Sequence, residues 1–225
     1  GLLIPVFVPR EFYRVGVVIT NINSVTLMTA LSCSVSAYAD PIAIPVTDSQ
    51  IVIDGLLDEA IWHSSPTLPL DQPIIGGEPE TADFSATYQL AWDANYVYLA
   101  ARIRDDVLFD QHPDPLHFYW DDDCLEIFID EDASGGDHLN NYNAFAYHIA
   151  LDGNVADIGE QQEGGQTNFV LLNNHVQSSW QRDIKEPTLI NWESAIEIHN
   201  DHFSPTALAS TSRVELSKGK IIGFM

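Results

Sequence analysis

Short apolar runs with polar residues at alternate positions recur along the chain from about residue 42 onward. Because successive side chains of a strand point to opposite faces, a period of two is typical of strands with one buried face. Long stretches with the helical period are absent, and "LLDEAIWHSS" has room for a helical turn or two. The sequence therefore predicts an all-β fold with little helix, an antiparallel β-sandwich such as the immunoglobulin-like one.

Gly, Asn and Asp residues separate these runs, and they are the residues that turns favour. Asp93-Ala94-Asn95 stands between two long runs and predicts a tight hairpin. We expect strands at "IAIPV", "IVIDG", "ATYQLAWD", "YVYLAARIRD", "CLEIFID", "NAFAYHIALDG", "NFVLLNN", "WESAIEIH" and "KIIGFM".

The chain is strongly acidic, with a formal net charge of −24 over 225 residues. Phosphate backbones and anionic membrane surfaces attract Lys and Arg, so this charge argues against nucleic acid and lipid as partners. It is compatible with cations and with neutral polar ligands. A hydrophobic content of 45% is enough for a sizeable core and favours one globular domain.

The N-terminal segment has the features of an export signal. Arg10 and Arg14 precede an apolar stretch that ends in Ala37-Tyr38-Ala39, and small residues around a cleavage site are typical of signal peptides. We therefore predict a signal over residues 1–39, a binding domain over residues 40–225, and a secreted, periplasmic or cell-surface location. The apolar runs are shorter than the roughly 20 residues that a membrane-spanning helix needs.

Two further expectations follow from this division of the chain. Cys33 falls in the predicted signal, so Cys124 is alone in the exported domain and we interpret it as a structural residue rather than a nucleophile. The sequence stops at Met225 inside an apolar run, so we expect further strands of the domain beyond it.

Five motifs stand in an order that resembles the family 9 carbohydrate-binding modules. They are "IDGLLDEAIW", "LAWDANYVYLAARIRDD", "WDDDCLEIFID", "WESAIEI" and "GKIIGF", and the resemblance extends over about residues 51–225. It implies a jelly-roll-like β-sandwich, often with bound calcium, that grips the end of a sugar chain between two tryptophans. It also implies that the second tryptophan follows "IIGF".

The alternation in "WDDDCLEIFID" indicates, independently of the resemblance, which side chains of this strand face outward. It places Leu125, Ile127 and Ile129 on a core face and directs Glu126 away from the core, on a strand that fixes its position. Indole rings stack on the apolar faces of sugars, and carboxylates accept hydrogen bonds from their hydroxyls. The resemblance implies Trp120 as the stacking residue.

The same resemblance implies Glu126 and Asp105 as hydroxyl-binding acids. Where the family often has an arginine, this chain has Ala146. His148, two residues further on the same face, is a candidate for one hydrogen bond to a hydroxyl, although it lacks the fork geometry of a guanidinium.

A second acidic cluster follows the strand "CLEIFI". Asp130, Asp132 and Asp137 supply carboxylates around a Gly-Gly pair, and oxygen ligands at alternate residues before a glycine are typical of the first half of a calcium loop. The sequence thus indicates a structural calcium ion held by these three residues. The alternative is a solvated acidic turn, because Asn141 stands where the bidentate acid of a full loop would be.

We predict no catalytic activity for the domain itself. Paired carboxylates hydrolyse glycosides when they flank a bond across a cleft, whereas Asp121, Asp122 and Asp123 are neighbours that point to different sides. A non-catalytic sugar-binding module, attached to a larger enzyme or an outer-membrane protein, is the preferred interpretation. The alternatives are a b-type haem-binding sandwich domain of a redox enzyme and an acidic structural or adhesion domain.

Overall fold

The computed structural model describes residues 15–18, 39–71, 79–135, 141–160 and 164–225. Within these ranges twelve strands form two sheets, and every strand pair is antiparallel except β1 with β2. The predicted all-β sandwich is confirmed. Helix in the described residues is confined to three short 3₁₀ segments, Ala60–His63, Tyr119–Asp121 and Ala209–Thr211. No described helix has the length and apolar character to cross a membrane.

The larger sheet has seven strands in the order β2-β1-β12-β6-β7-β8-β9. Their bounds are β1 Val15–Val18, β2 Ala39–Ala43, β6 Cys124–Asp130, β7 Phe145–Ala150, β8 Val155–Ile158, β9 Phe169–Leu171 and β12 Ile221–Phe224. β1 and the first residue of β2 belong to the segment predicted as a signal. Residues 1–14 and 19–38 of that segment lie outside the described residues.

The smaller sheet has five strands in the order β10-β11-β5-β4-β3. Their bounds are β3 Leu68–Leu70, β4 Phe84–Trp92, β5 Val97–Asp105, β10 Val176–Arg182 and β11 Leu189–Ile196. The hairpin predicted at Asp93-Ala94-Asn95 joins β4 to β5, and the Asp93 carboxylate stabilises it by accepting hydrogen bonds from the backbone N–H groups of Asn95 and Tyr96.

The main core lies between the sheets. Alternate residues of β6 (Leu125, Ile127 and Ile129) are buried in it, as the alternation predicts, together with Trp92 and Trp192. Burying one such aliphatic side chain contributes about 1.5–3 kcal/mol, so the apolar face of β6 fixes which way the strand's other residues point. Its outward residues, Cys124, Glu126 and Phe128, are half-buried.

A second, smaller core covers the outer face of the five-stranded sheet. There the covering segment, residues 51–65, packs Ile51, Leu57 and Trp62 on Tyr98 and neighbouring alanines of the sheet. Glu193 of β11 holds this segment in place, because its carboxylate accepts hydrogen bonds from the backbone N–H groups of Asp54 and Gly55 (3.2 Å each) and from the Trp62 indole N–H (3.0 Å).

These bonds explain one wrong prediction. "IVIDG" is not a strand, because Glu193 takes up N–H groups that a strand partner would otherwise satisfy. Gly55 is required here: its φ is +79°, and a Cβ would approach the backbone of Trp180 to 3.0 Å. The other predicted strands form, while β1, β3, β8 and β10 have no counterpart among them.

Candidate functional site

Glu126 and His148 lie directly opposite each other on the outward face of the seven-stranded sheet. They are register partners on β6 and β7, and His148 Nδ1 is 2.9 Å from Glu126 Oε1. The Glu126 side chain is 14% exposed and that of His148 is 7% exposed. Glu126 Oε2 accepts no hydrogen bond from the described residues, and it is not fully buried. One carboxylate oxygen is therefore available to a ligand while the other is held by the imidazole.

Aromatic rings form the wall beside this pair. The chain enters the 3₁₀ segment through Phe118, whose φ of +56° turns the backbone sharply. Tyr119 is buried with its ring 4.9 Å from that of His148, and the Trp120 ring lies 5.1 Å from that of Tyr119. Phe169 of β9 packs 5.4 Å from Trp120, which stays half-buried. Three of the four predicted sugar-binding residues, Trp120, Glu126 and His148, thus belong to one contiguous cluster.

The acidic triplet before β6 fixes the loop that carries these rings. Asp122 accepts hydrogen bonds from the backbone N–H groups of Gln111 and His112 (2.9 and 2.8 Å), and Asp123 accepts one from Phe109 (2.7 Å). Each charge-assisted bond to a backbone N–H restrains the loop. Asp122 and Asp123 therefore restrain the loop that carries Trp120.

The electrostatics of the cluster keep His148 charged. Burial lowers the pKa of His148, but the adjacent Cys124 and Glu126 outweigh burial and raise the pKa to about 10. Asp157 is also buried nearby, where it accepts hydrogen bonds from the backbone N–H groups of Ile158 and Ala146 (2.7 and 3.1 Å), and burial raises its pKa to about 7. An imidazolium beside Glu126 holds that carboxylate in one orientation.

Asp105 lies apart from this cluster. It is the last residue of β5, in the other sheet, where its carboxylate accepts a hydrogen bond from the Val107 backbone N–H at 3.0 Å. It is near enough to Asp123 for its charge to raise the pKa of that carboxyl, after the larger effect of burial. No contact among the described residues joins Asp105 to Trp120, Glu126 or His148.

The acidic loop after β6 is described in part. Asp130 is 8% exposed, its Oδ2 accepts a hydrogen bond from the Gly135 backbone N–H (2.7 Å), and its Oδ1 is buried with no hydrogen-bond donor among the described residues. Asp132 accepts a hydrogen bond from the Ser134 backbone N–H (2.9 Å). Burial and Asp132 raise the pKa of Asp130. Asp137 lies outside the described residues, which contain no group of three or more metal-ligating side chains.

Sequence reasoning missed two members of the aromatic cluster. Tyr119 is adjacent to Trp120, and the reversal at Phe118 that places it against His148 leaves no pattern in the sequence. Phe169 is 49 residues from Trp120 (169 − 120) and lies on a strand of three residues. Its nearness to Trp120 follows from the order of strands in the sheet, which local sequence does not encode.

Comparison with known proteins gives a family. The sequence profile described as "Carbohydrate family 9 binding domain-like" matches residues 53–225. An endo-1,4-beta-xylanase A of Thermotoga maritima is 36% identical over 80 residues, which are 36% of this chain and 7% of the xylanase. The exoglucanase XynX of Acetivibrio thermocellus is 29% identical over 119 residues, 52% of this chain and 9% of the exoglucanase. The matches thus span less than a tenth of these relatives.

Solved structures show similarity at a lower level. A family 9 carbohydrate-binding module from Caldicellulosiruptor kristjanssonii in complex with glucose superimposes with a TM-score of 0.47 at 20% identity, over 81% of this chain and 84% of that one. The cellotriose complex of a module from the same organism gives the same TM-score and identity, over 81% and 83%.

Proposed function

This chain belongs to the carbohydrate family 9 binding domain-like family, and from that premise we propose that the Trp120–Glu126–His148 cluster binds the end of a sugar chain or a small saccharide. The observation that carries the proposal is Glu126 Oε2, which accepts no hydrogen bond from the described residues and is held beside an aromatic wall by the His148 imidazole. A fixed carboxylate oxygen accepts hydrogen bonds from vicinal hydroxyls, and the Trp120 ring offers a surface to the apolar face of the sugar.

His148 is a positioning residue in this proposal. Its Nδ1 holds Glu126 Oε1, so that Oε2 points to the ligand without the entropy cost of fixing a mobile side chain on binding. Asp105 joins the site when a longer ligand reaches past the loop restrained by Asp122 and Asp123, because Asp105 lies near Asp123 and not near Trp120.

The wider setting is also a proposal. We infer that the domain is non-catalytic, is exported behind the signal at residues 1–39, and serves a larger enzyme or an outer-membrane protein by holding it on a polysaccharide. The relatives support this, because the matched regions are small parts of proteins named as a xylanase and an exoglucanase.

Calorimetric titration with glucose and cellotriose tests the sugar site. Stacking on one aromatic face contributes about 1 kcal/mol beyond burial, so Trp120→Ala should weaken binding several-fold to tenfold. Ile184→Ala, a change at a side chain 94% exposed in the β10–β11 turn, is the matched control and should leave the affinity unchanged. Equal affinities for Trp120→Ala and the unaltered chain would refute the assignment.

A structural calcium ion is proposed for the loop after β6. The residues fit a hard cation: Asp130 Oδ1 is buried with no donor among the described residues, and Asp132 lies close enough to raise the pKa of Asp130. Two carboxylates at such a distance repel unless a proton or a cation lies between them. Asp130 and Asp132 would hold the ion, with Asp137 as the third acid, and the ion would stiffen a loop that has no disulfide nearby.

A further inference from the structure

A cleft of about 440 Å³ lies on the outer face of the five-stranded sheet, the opposite side of the molecule from the Trp120 cluster. Residues 47–53 form one wall and the β4–β5 hairpin turn forms the other, with Tyr98 and Ala195 of the sheet between them. Its volume is within the range of about 300–1,000 Å³ that is usual for small-molecule sites.

Hydrogen bonds hold both walls, so the cleft is preformed. Asp93 accepts hydrogen bonds from the Asn95 and Tyr96 backbone N–H groups and from the Tyr98 hydroxyl (2.7, 2.9 and 2.8 Å), which fixes the turn and one aromatic ring. On the other wall the Thr47 backbone N–H donates to the Trp92 carbonyl at 2.8 Å. The Arg213 guanidinium lies 5.4 Å from the centroid of the Tyr96 ring and restrains that ring. A ligand therefore meets a surface that needs no rearrangement.

The lining combines an apolar floor with neutral polar groups. Ile51, Tyr98 and Ala195 are buried beneath the cleft. Three exposed residues that line the cleft carry carboxamides: Gln50, Asn95 and Gln177. Their side chains form no hydrogen bond with the described residues. Each carboxamide both donates and accepts hydrogen bonds, as a sugar hydroxyl does. The Asp93 carboxylate accepts hydrogen bonds from three donors of its own chain, so both of its oxygens already have partners within the turn.

From these features we propose that the cleft is a second binding site, specific for a neutral polyhydroxylated ligand the size of one or two sugar rings. The carboxamides bond its hydroxyls while its C–H face lies against the half-buried Tyr96 ring, with Tyr98 buried beneath and the two ring centroids 5.8 Å apart. Asp48 at the rim and the overall charge of −24 exclude anionic sugars. The site is independent of the Trp120 cluster, since it lies on the other sheet and shares no residue with it.

Two-dimensional NMR of the isotope-labelled chain tests the site residue by residue. Glucose and cellotriose are titrated while the side-chain amide signals of Gln50, Asn95 and Gln177 are followed, with choline as a cationic probe. We expect these signals to shift with a saturable dependence on glucose or cellotriose and not on choline. The shifts should persist in Trp120→Ala, so that a failure of the proposed Trp120–Glu126–His148 site would leave this result unchanged.

Variants then identify the residues that bind. Tyr96→Ala and Gln177→Ala should each weaken the saturable shifts at least tenfold. Gln111→Ala, an exposed carboxamide outside the cleft, should leave them unchanged. Because Gln177 is exposed, its variant should keep the fold even if Tyr96→Ala does not. Shifts that stay linear in glucose and cellotriose, that saturate with choline instead, or that survive Gln177→Ala would overturn the proposal.

Discussion

Glu193 on β11 and Glu126 on β6 are glutamates in similar strand motifs, but the chain covers the first and leaves the second partly exposed. Each projects from its sheet away from the core between the sheets. Glu193 is fully buried under the covering segment, where two backbone N–H groups and an indole N–H donate to it. Among the described residues Glu126 has one imidazole partner, and its second oxygen accepts no hydrogen bond. A carboxylate whose oxygens are filled by its own chain holds the fold together, and one with an unfilled oxygen is available to a ligand.

The difference between the two glutamates comes from the covering segment, residues 51–65, which lies over Glu193 and not over Glu126. Residues 51–65 cross the outer face of the five-stranded sheet and bury Glu193, and Gln89 adds hydrogen bonds to the carbonyls of Trp62 and Ser65 (2.6 and 2.8 Å). Over Glu126 the chain instead places a short aromatic loop that leaves Trp120 and Phe169 half-buried. The same alternation of strand residues thus produces an anchor on one sheet and the proposed binding surface on the other.

The largest expected effect comes from removing the anchor. Glu193→Ala removes the acceptor of the Asp54 and Gly55 backbone N–H groups and leaves the Trp62 indole N–H with Glu59 alone, at 3.1 Å, so we expect it to lower the free energy of unfolding by about 3–5 kcal/mol. Urea denaturation measures this. Glu186→Ala, which breaks an exposed pair with Arg104, is the control and should cost less than about 1 kcal/mol. Equal losses in the two variants would mean that Glu193 is not an anchor.

Asp130 extends the comparison to a buried carboxylate, one oxygen of which has no hydrogen-bond donor among the described residues. If calcium fills it, stabilisation grows with free calcium and reaches about 2.7 kcal/mol at a hundredfold excess over the dissociation constant. Thermal midpoints should rise in calcium relative to chelator, less in magnesium, and not in sodium chloride of equal ionic strength.

Asp130→Asn with Asp132→Asn should abolish the calcium shift. Equal midpoints in calcium and sodium chloride would reduce the loop to a solvated acidic turn. A shift that survives both substitutions would place the ion elsewhere in the chain.

The buried histidines differ between the core and the proposed site in the direction of their pKa shifts. His175 and His199 stack 3.9 Å apart in the core, where their partners are the hydroxyls of Tyr147 and Ser212, with the Glu197 carboxylate 3.7 Å from His199 and paired with Arg213. Burial lowers the pKa of His175 to about 3 and that of His199 to about 4. His148, with a carboxylate at 2.9 Å, is instead charged at neutral pH.

The unfolded chain binds protons on these two histidines near pH 6.5, and the folded chain does not until about pH 3–4. Their contribution to stability is therefore present above pH 6.5 and declines as the pH falls, by about 2.6 kcal/mol for each histidine at pH 4.5. His175→Gln and His199→Gln should flatten this dependence in urea denaturation at several pH values. His202→Gln, at an exposed histidine, should not. An unchanged slope in both core variants would contradict the account.

Much of this arrangement follows from local sequence. The alternation around β6 predicts that Glu126 faces outward while Leu125 and Ile127 face the core, because side-chain direction in a strand depends on position alone. The hairpin at Asp93 is likewise local. The burial of Glu193 does not follow from local sequence, since its hydrogen-bond donors come from a segment more than 130 residues away. That segment includes "IVIDG", which has the pattern of a strand.

The same limit applies to the binding surface. Trp120, Glu126 and His148 were predicted from their motifs, and their proximity depends on the register of β6 with β7 and on the turn at Phe118. Phe169 and the cleft at Tyr96 arise from packing between distant segments. Sequence patterns identify which face of a strand is outward, whereas the element that covers that face is a property of the tertiary structure.

The most direct test of the account is the affinity of Glu126→Gln for cellotriose, measured by calorimetry beside its free energy of unfolding. The substitution keeps the shape of the side chain and removes the charge that binds hydroxyls and pairs with His148. We predict that affinity falls about tenfold, or 1.4 kcal/mol, while stability falls by less than the roughly 3–5 kcal/mol expected for Glu193→Ala, because His148 loses its proton once the carboxylate charge is gone. An unchanged affinity combined with a stability loss as large as that of Glu193→Ala would show that Glu126 is a second structural anchor and not a binding residue.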